Sequence, residues 1–306
     1  MNPFRTLLVA TDLSAPARHA VHRAGLLAAG CGARLVLLHV VDMRLIEGLR
    51  HVLGDSGELR ERRLLDEAAR VLSDLADGLG RSHAIDVEAR LVTGSVLPEI
   101  VASAERIGAD LLVMGARGAG FVPELMMGTT TERTLRMTRR PVLIVKQTPH
   151  EPYRRILVPV DFSGHPETAV DLARAVSTDA ELSLMHAFEL PFERKLHYAG
   201  LTDVEMIELQ AATRAEATLK MEALARYAAL SGPVSPAAIV YGRPTTRILE
   251  QEQEQDCDLI VIGRGGSGLL ADWLLGSTTK RVASLANCDL LVTDLDRVTP
   301  EPVAPQ

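Results

Sequence analysis

Short apolar runs alternate with longer segments of helical period along this chain. In the first half, residues 7–10, 35–41, 87–92, 111–114 and 141–145 are continuous or nearly continuous apolar runs. Parallel strands covered on both faces read this way, because neither face is left for polar side chains. Between them, residues 15–29, 58–79, 98–107 and 130–137 carry apolar side chains three and four apart, as in Leu64, Leu65, Ala68, Val71, Leu72 and Leu75. That spacing lines one face of a helix. Strand and helix in alternation predict right-handed βαβ units and a doubly wound, Rossmann-like α/β sheet. Residues 42–57 are the stretch least well defined by either period.

The same unit is written twice. The segment "TLLVATDLS" at 6–14 is matched by "RILVPVDFS" at 155–163, with Asp12 and Asp161 offset by 149. "RLVLLHVV" at 34–41 is matched by "ELSLMHAF" at 181–188, with His39 and His186 offset by 147. "ADLLVMGARG" at 109–118 is matched by "CDLIVIGRGG" at 257–266, and "RPVLIVK" at 140–146 by "CDLLVTD" at 288–294. An almost constant offset means tandem duplication with few insertions. The proline-containing seam "QTPHEPYRR" at 147–155 divides the chain into expected domains at 1–148 and 152–297. The second unit repeats the alternation, with a long helix around 203–230. Two halves of one design are expected to pack about a pseudo-twofold axis through their fifth strands.

Composition narrows the function classes. The chain has 306 residues and is 47% apolar, which suits two globular domains. A net charge of −7 argues against a broad electrostatic grip on nucleic acid or an anionic membrane, while leaving room for a local phosphate pocket. The three cysteines are an odd count without C-x-x-C spacing, against a disulfide framework or a zinc site. The N-terminal apolar run is too short for a signal peptide, and no run of about 18 uncharged apolar residues spans a membrane. A cytoplasmic location is expected.

The candidate chemistry lies in two loops. Residues 115–129 read "GARGAGFVPELMMGT" and residues 263–277 read "GRGGSGLLADWLLGS", both G-x2-G-x9-G-[ST]. Each begins just after the fourth strand. A glycine there lets the backbone turn and lets a ligand approach without a Cβ in the way. The closing Ser or Thr opens the next helix, whose first N–H groups and positive dipole end favour phosphate. Glycine after a strand and Ser/Thr before a helix are also ordinary turn and N-cap chemistry, and duplication copies a turn as readily as a site. Neither loop has the lysine of a Walker A motif, and the glycines follow the fourth strand, whereas a dinucleotide fingerprint follows the first. Strand 1 ends in Asp12 and Asp161, each with a serine two residues on. They read either as helix starts or as acceptors for a ribose hydroxyl or an adenine amino group at the carboxyl ends of the strands.

These residues together resemble the universal stress protein family in its tandem two-domain form. The resemblance rests on "VATDLS" and "VPVDFS", on the strand 2 ends "LLHVVD" and "LMHAF", and on the loop in both halves, and it covers nearly the whole chain. It implies two five-stranded parallel sheets of order 3-2-1-4-5, so that strands 1 and 4 are adjacent and Asp12 falls beside Gly115. Many members bind ATP, and those that do carry this glycine pattern. Transferred residue by residue, the likeness implies that Ala10, Thr11 and Asp12 line the adenosine and Val40 presents its backbone to adenine. Met114 and Gly115 pass under the ribose and phosphates, and Gly118, Gly128, Thr129 and Thr130 hold the phosphates. The second-half counterparts are Pro159, Val160, Asp161, Ala187, Ile262, Gly263, Gly266, Gly276, Ser277 and Thr278. Two departures stand out: Thr129 where serine is commoner, and Arg117 and Gly265 where histidine is frequent before the second glycine. Both motifs are intact, so two competent sites for ATP or another adenine nucleotide are expected, with Mg2+ or Mn2+ as the accompanying ion.

Other residues are set aside. His39 and His186 read as structural, Trp273 as loop packing, Met126 and Met127 as gap fillers or interface residues, Cys257 and Cys288 as inert. The acidic run at 250–256 reads as a solvated helix end. With no positioned base, partnered nucleophile or metal carboxylate cluster in view, the leading reading is a regulatory ATP-binding stress-response protein that acts on a protein partner, and whether the tandem chain forms a homodimer is left open by the sequence. A slow ATPase or autophosphorylating enzyme, using Thr129, Thr130 or Ser277, and a nucleotide-free docking scaffold are the alternatives.

Overall fold

The computed structural model describes residues 4–53, 56–118, 127–190, 201–265 and 275–295. The chain divides into two compact units, Met1–Pro152 with Asn287–Thr293, and Tyr153–Ala286 with Asp294–Gln306.

In the first unit the strands are β1 (Thr6–Ala10), β2 (Arg34–Asp42), β3 (Val87–Gly94), β4 (Leu111–Gly115) and β5 (Val142–Val145). They lie in the order β3-β2-β1-β4-β5, all parallel. The three central strands owe their burial to the apolar runs seen in the sequence. Leu7, Leu8, Val9, Leu35, Val36, Leu37, Leu38, Leu111, Leu112 and Val113 are wholly buried. At the edge, β3 is only half-buried, and Glu88 takes ion pairs from Arg34 and Arg90 there. A further strand, β10 (Asp289–Thr293), pairs antiparallel with β5, Leu291 opposite Leu143. The last strand of the second repeat in sequence thus belongs to the first compact unit.

The helices of this unit are α1 (Ala15–Cys31), α2 (Met43–Leu53), α3 (Ser56–His83), α4 (Val96–Arg106) and α5 (Thr129–Met137). α1 shows why the local sequence folds as it does. Ser14 caps its start, a proline occupies the first turn, and Gly32 ends it in the left-handed conformation at φ 67°, with its N–H bonded to the Ala28 carbonyl. Half of its buried positions are alanine and one is glycine, which lets the helix sit close to β4. α2 occupies the stretch that the sequence pattern left undefined. It turns Ile46 into the core and leaves Met43, Leu45 and Val52 exposed.

The second unit carries β6 (Arg155–Pro159), β7 (Glu181–Phe188), β8 (Ala238–Tyr241) and β9 (Leu259–Gly263), parallel in the order β9-β6-β7-β8. Its helices are α6 (Pro166–Val176), α7 (Asp203–Ala229), α8 (Pro244–Glu254) and α9 (Ser277–Leu285). α7 begins with a complete capping box between Thr202 and Glu205. The acidic run near the end of α8 is not wholly solvated: Glu252 faces inward and is 3% exposed. An i, i+4 period turns one side of every amphipathic helix to the core, and Glu252 shares that side with buried Ile248. Cys257 and Cys288 are buried, Met127 is buried, and Trp273 and Met126 lie outside the described residues.

Candidate functional site

β1 and β4 end side by side, with Ala10 opposite Met114 in the parallel ladder. The residues that follow, Thr11–Asp12 and Gly115–Gly118, leave the sheet next to one another. After Asp12 the chain turns through Leu13 at φ 64°, which brings the Ser14 N–H within 3.0 Å of Asp12 Oδ1. The second repeat makes the same turn: Phe162 has φ 58° and the Ser163 N–H lies 2.9 Å from Asp161 Oδ1. A bulky residue in this conformation costs roughly 1–3 kcal/mol, so the surroundings must hold it.

His39 and His186 supply part of that hold. His39 Nδ1 is 2.8 Å from the Thr11 carbonyl, and His186 Nδ1 is 2.8 Å from the Val160 carbonyl. A carbonyl only accepts, so each Nδ1 carries a proton and donates it. The Thr11 N–H in turn donates to the Leu38 carbonyl at 2.9 Å, and Thr11 Oγ1 accepts from the Leu13 N–H at 3.1 Å. The two histidines thus position the strand 1 turn.

The glycine loop closes on the other side. The Ala116 N–H donates to the Val145 carbonyl and the Gly128 N–H to the Ala116 carbonyl, each at 2.8 Å. Thr131 Oγ1 donates to the Gly115 carbonyl at 2.9 Å. Gly128 is the N-cap of α5 and has no side chain to satisfy the first-turn amides of Thr129 and Thr130. A helix leaves those donors without an intrahelical partner, which suits an anion. At Gly118 a Cβ would lie 2.6 Å from Asp12 Oδ2, so only glycine lets the loop backbone meet that carboxylate unperturbed. Residues 119–126, between the two halves of the motif, lie outside the described residues.

Around these groups lies a cavity of about 230 Å3, small beside the roughly 300–1,000 Å3 usual for ligand clefts. Its walls include Ala10, Thr11, Asp12, Val40, Met114, Gly115, Gly118, Gly128, Thr129 and Thr130, the whole first-half set, drawn from four separate stretches of chain. Sequence reasoning missed Val96 and Ile100 of α4, Ala17 of α1, Leu38 and Thr131. The two α4 residues carry no local signal, because only the fold brings them to the strand ends. Thr131 had one: Thr279 stands at the matching position of the second repeat. The ionisable residues among the described walls are Asp12 and Arg117. Among the described residues of the whole chain, no group of three or more His, Cys, Asp or Glu side chains is gathered to hold a metal.

In the second unit the backbone frame is the same. Thr279 Oγ1 donates to the Gly263 carbonyl at 2.7 Å, and the Gly276 N–H donates to the Arg264 carbonyl at 2.9 Å. A groove of about 880 Å3 runs between one side of α8 and one side of α9, with Arg243, Lys280 and Arg281 on its walls. Ser277 and Thr278 line it, while Pro159, Val160, Asp161, Ala187, Ile262, Gly263 and Gly276 are not among its lining residues. Gly266 lies outside the described residues.

The model of the universal stress protein family matches residues 3–146 and again 152–294. A universal stress protein of Mycolicibacterium smegmatis is 26% identical over 94% of this chain and 96% of its own length. One from Mycobacterium tuberculosis is 28% identical over 76% of this chain and 75% of its own. Among solved structures, a universal stress protein from Archaeoglobus fulgidus superposes with a TM-score of 0.64 over 95% of this chain and 98% of its own, at 22% identity. A functionally unknown protein from Pseudomonas aeruginosa gives 0.67 over 96% and 93%, at 20% identity. At that identity the structures speak to the fold, but two family matches that together span most of the sequence speak to descent: the chain belongs to the universal stress protein family and carries the family's domain twice in tandem.

Proposed function

We propose that this chain is a regulatory adenine-nucleotide-binding protein of the stress response, and that the first unit's cavity takes the nucleotide, ATP by preference. One observation carries the reading. Ten positions singled out by motif, scattered between residues 10 and 130, line a single cavity where β1 and β4 end. Within it, Asp12 is the acceptor for a ribose or adenine donor, and the amides at the start of α5 and the hydroxyls of Thr129 and Thr130 are the phosphate ligands. Mg2+ or Mn2+ would arrive with the phosphates, since the described walls supply only one carboxylate. The pairing of His39 with a backbone carbonyl favours binding over fast turnover, because that ring nitrogen is committed to structure. Bound nucleotide would act by shifting the chain's affinity for a protein partner or a second copy. Three free cysteines fit a reducing cytoplasm, and among the described residues no helix is long and apolar enough to cross a membrane.

The test is calorimetric titration of nucleotide-stripped protein with ATP. Saturable binding in the micromolar range that Gly115→Val abolishes supports the assignment. A Cβ at this position already lies 3.0 Å from the Arg117 carbonyl, and the added valine methyls must enter the cavity or move the loop. Unchanged binding in a variant with native circular dichroism would remove it.

A further inference from the structure

The two repeats match at the glycine that ends the fourth strand but differ in what lies against it. At Gly115 the nearest atoms to a Cβ would be the Arg117 carbonyl oxygen at 3.0 Å and the Ala17 Cα at 3.7 Å, the turn itself and the start of α1. At Gly263 they are Leu295 Cδ1 at 2.6 Å and Cγ at 3.0 Å. The bare face of Gly263 is therefore covered by the chain's own leucine. The absence of a Cβ that would admit a ligand in one repeat admits Leu295 in the other.

Leu295 is also tied in place. Its carbonyl accepts the N–H of His165, the N-cap of α6, at 3.2 Å. It thereby joins the end of β9 to the start of α6. The corresponding elements of the first unit, Gly115 and Ala17, are walls of the open cavity. The repeat offset of 148 puts Gln147 in the place of Leu295, and Gln147 goes elsewhere. Its N–H donates to Asp289 Oδ1 at 3.1 Å and its side-chain amide to the Asn287 carbonyl at 3.3 Å. An apolar side chain prefers to leave water against the β9 end, whereas a polar one is held in hydrogen bonds away from the cavity.

We propose that Leu295 closes the strand-end crevice of the second unit, so that the chain takes one nucleotide, in the first unit, and gains a second site only when Leu295 is displaced. The proposal rests on the nucleotide reading given above. It predicts unequal repeats despite their matching motifs, with Leu295 acting as a built-in plug.

Native mass spectrometry and calorimetry with ATP on the full chain test it, using Gly115→Val, Leu295→Gln, Leu295→Ala and the double variants. The wild type should bind one ATP and Gly115→Val none. Leu295→Gln, which installs the first repeat's residue, should bind two, and its combination with Gly115→Val should recover one, an affinity gain of at least tenfold over Gly115→Val alone. Leu295→Ala, which shortens the plug without adding a polar group, should behave in the same way. Two equivalents bound by the wild type, or a single equivalent retained by both Leu295 variants with native circular dichroism, would overturn the closure while leaving the first site standing. Binding by no form would overturn the nucleotide reading itself and the closure with it.

Discussion

Asp12 and Gly118 are 106 positions apart in the chain and meet at the mouth of the first cavity, where a Cβ on residue 118 would press on Asp12 Oδ2 at 2.6 Å. The carboxylate is exposed and is the far end of a side chain that can rotate, so it yields to a new Cβ more readily than backbone would. Gly118→Ala should accordingly leave the melting temperature nearly unchanged and weaken ATP binding about tenfold or more, or ~1.4 kcal/mol, by turning the acceptor away. Calorimetry beside a thermal melt separates the two effects, and a large loss of stability with normal affinity would contradict this account. The histidines teach the same lesson from the other side. His39 reads as structural in the sequence, and its Nδ1 proton serves the Thr11 carbonyl and so the geometry of the turn.

At the scale of elements, most of the energy lies in apolar strands and in the helix faces laid on them, and a few polar ties set how helices meet. α6 and α7 are joined by the Tyr227 hydroxyl, which donates to Asp171 Oδ1 at 2.8 Å. That hydrogen bond, with burial and the nearby negative charge behind it, pushes the Tyr227 hydroxyl up to about 12 from its ordinary value near 10. A raised value in the folded state means that the unfolded chain loses its proton first as the pH rises. The contribution to stability is present in full below about pH 10 and is lost as the pH climbs through about 12. Tyr227 is 38% exposed, so solvent screens much of it. Thermal melts across pH 9 to 12 should therefore fall more steeply in the wild type than in Tyr227→Phe, by a modest margin. Parallel curves would show that the tie is worth nothing.

At the scale of the molecule, the stretch Asn287–Thr293 is the feature that a reading of one repeat at a time passes over. It lies in the first compact unit and pairs with β5. Asp289 anchors it: wholly buried, it accepts the N–H groups of Lys146 at 2.7 Å and Gln147 at 3.1 Å, and it faces Arg23 Nε at 3.4 Å. Arg23 is 5% exposed and also donates to the Glu151 carbonyl at 2.7 Å. Removing one partner of a buried ion pair costs about 3–5 kcal/mol, because the other charge remains in a poor dielectric. Asp289→Ala should destabilise the first unit by about that much, seen as a lower denaturation midpoint and as earlier proteolysis within residues 1–152. Asp289→Asn should recover part of the loss through the amide carbonyl. Wild-type stability in Asp289→Ala would mean that the pair is not what holds this strand.

Much of the fold was legible because its signals are local. Strand runs, helical periods and turn residues act over a few positions, and the duplication repeated each signal so that one half checked the other. The first-half candidate cavity was legible for the same reason: motif residues at the ends of strands 1 and 4 converge as soon as those strands are neighbours, and the whole set lines one cavity. α2 escaped although Leu45, Ile46, Leu49, Val52 and Leu53 recur three and four apart, and of its described side chains only Ile46 is fully buried. Val96 and Ile100 escaped because α4 reaches the site through the packing of the sheet. The sequence by itself thus determined the α/β alternation, the tandem repeat and the chemical character of the glycine loops. Only the tertiary structure decided that Asp289 is buried against Arg23, that β10 runs antiparallel to β5, and that Leu295 covers Gly263 while nothing comparable covers Gly115 among the described residues. Those outcomes depend on contacts between residues far apart in the chain. Local propensity sets no preference among such partners; shape and burial in the folded state do.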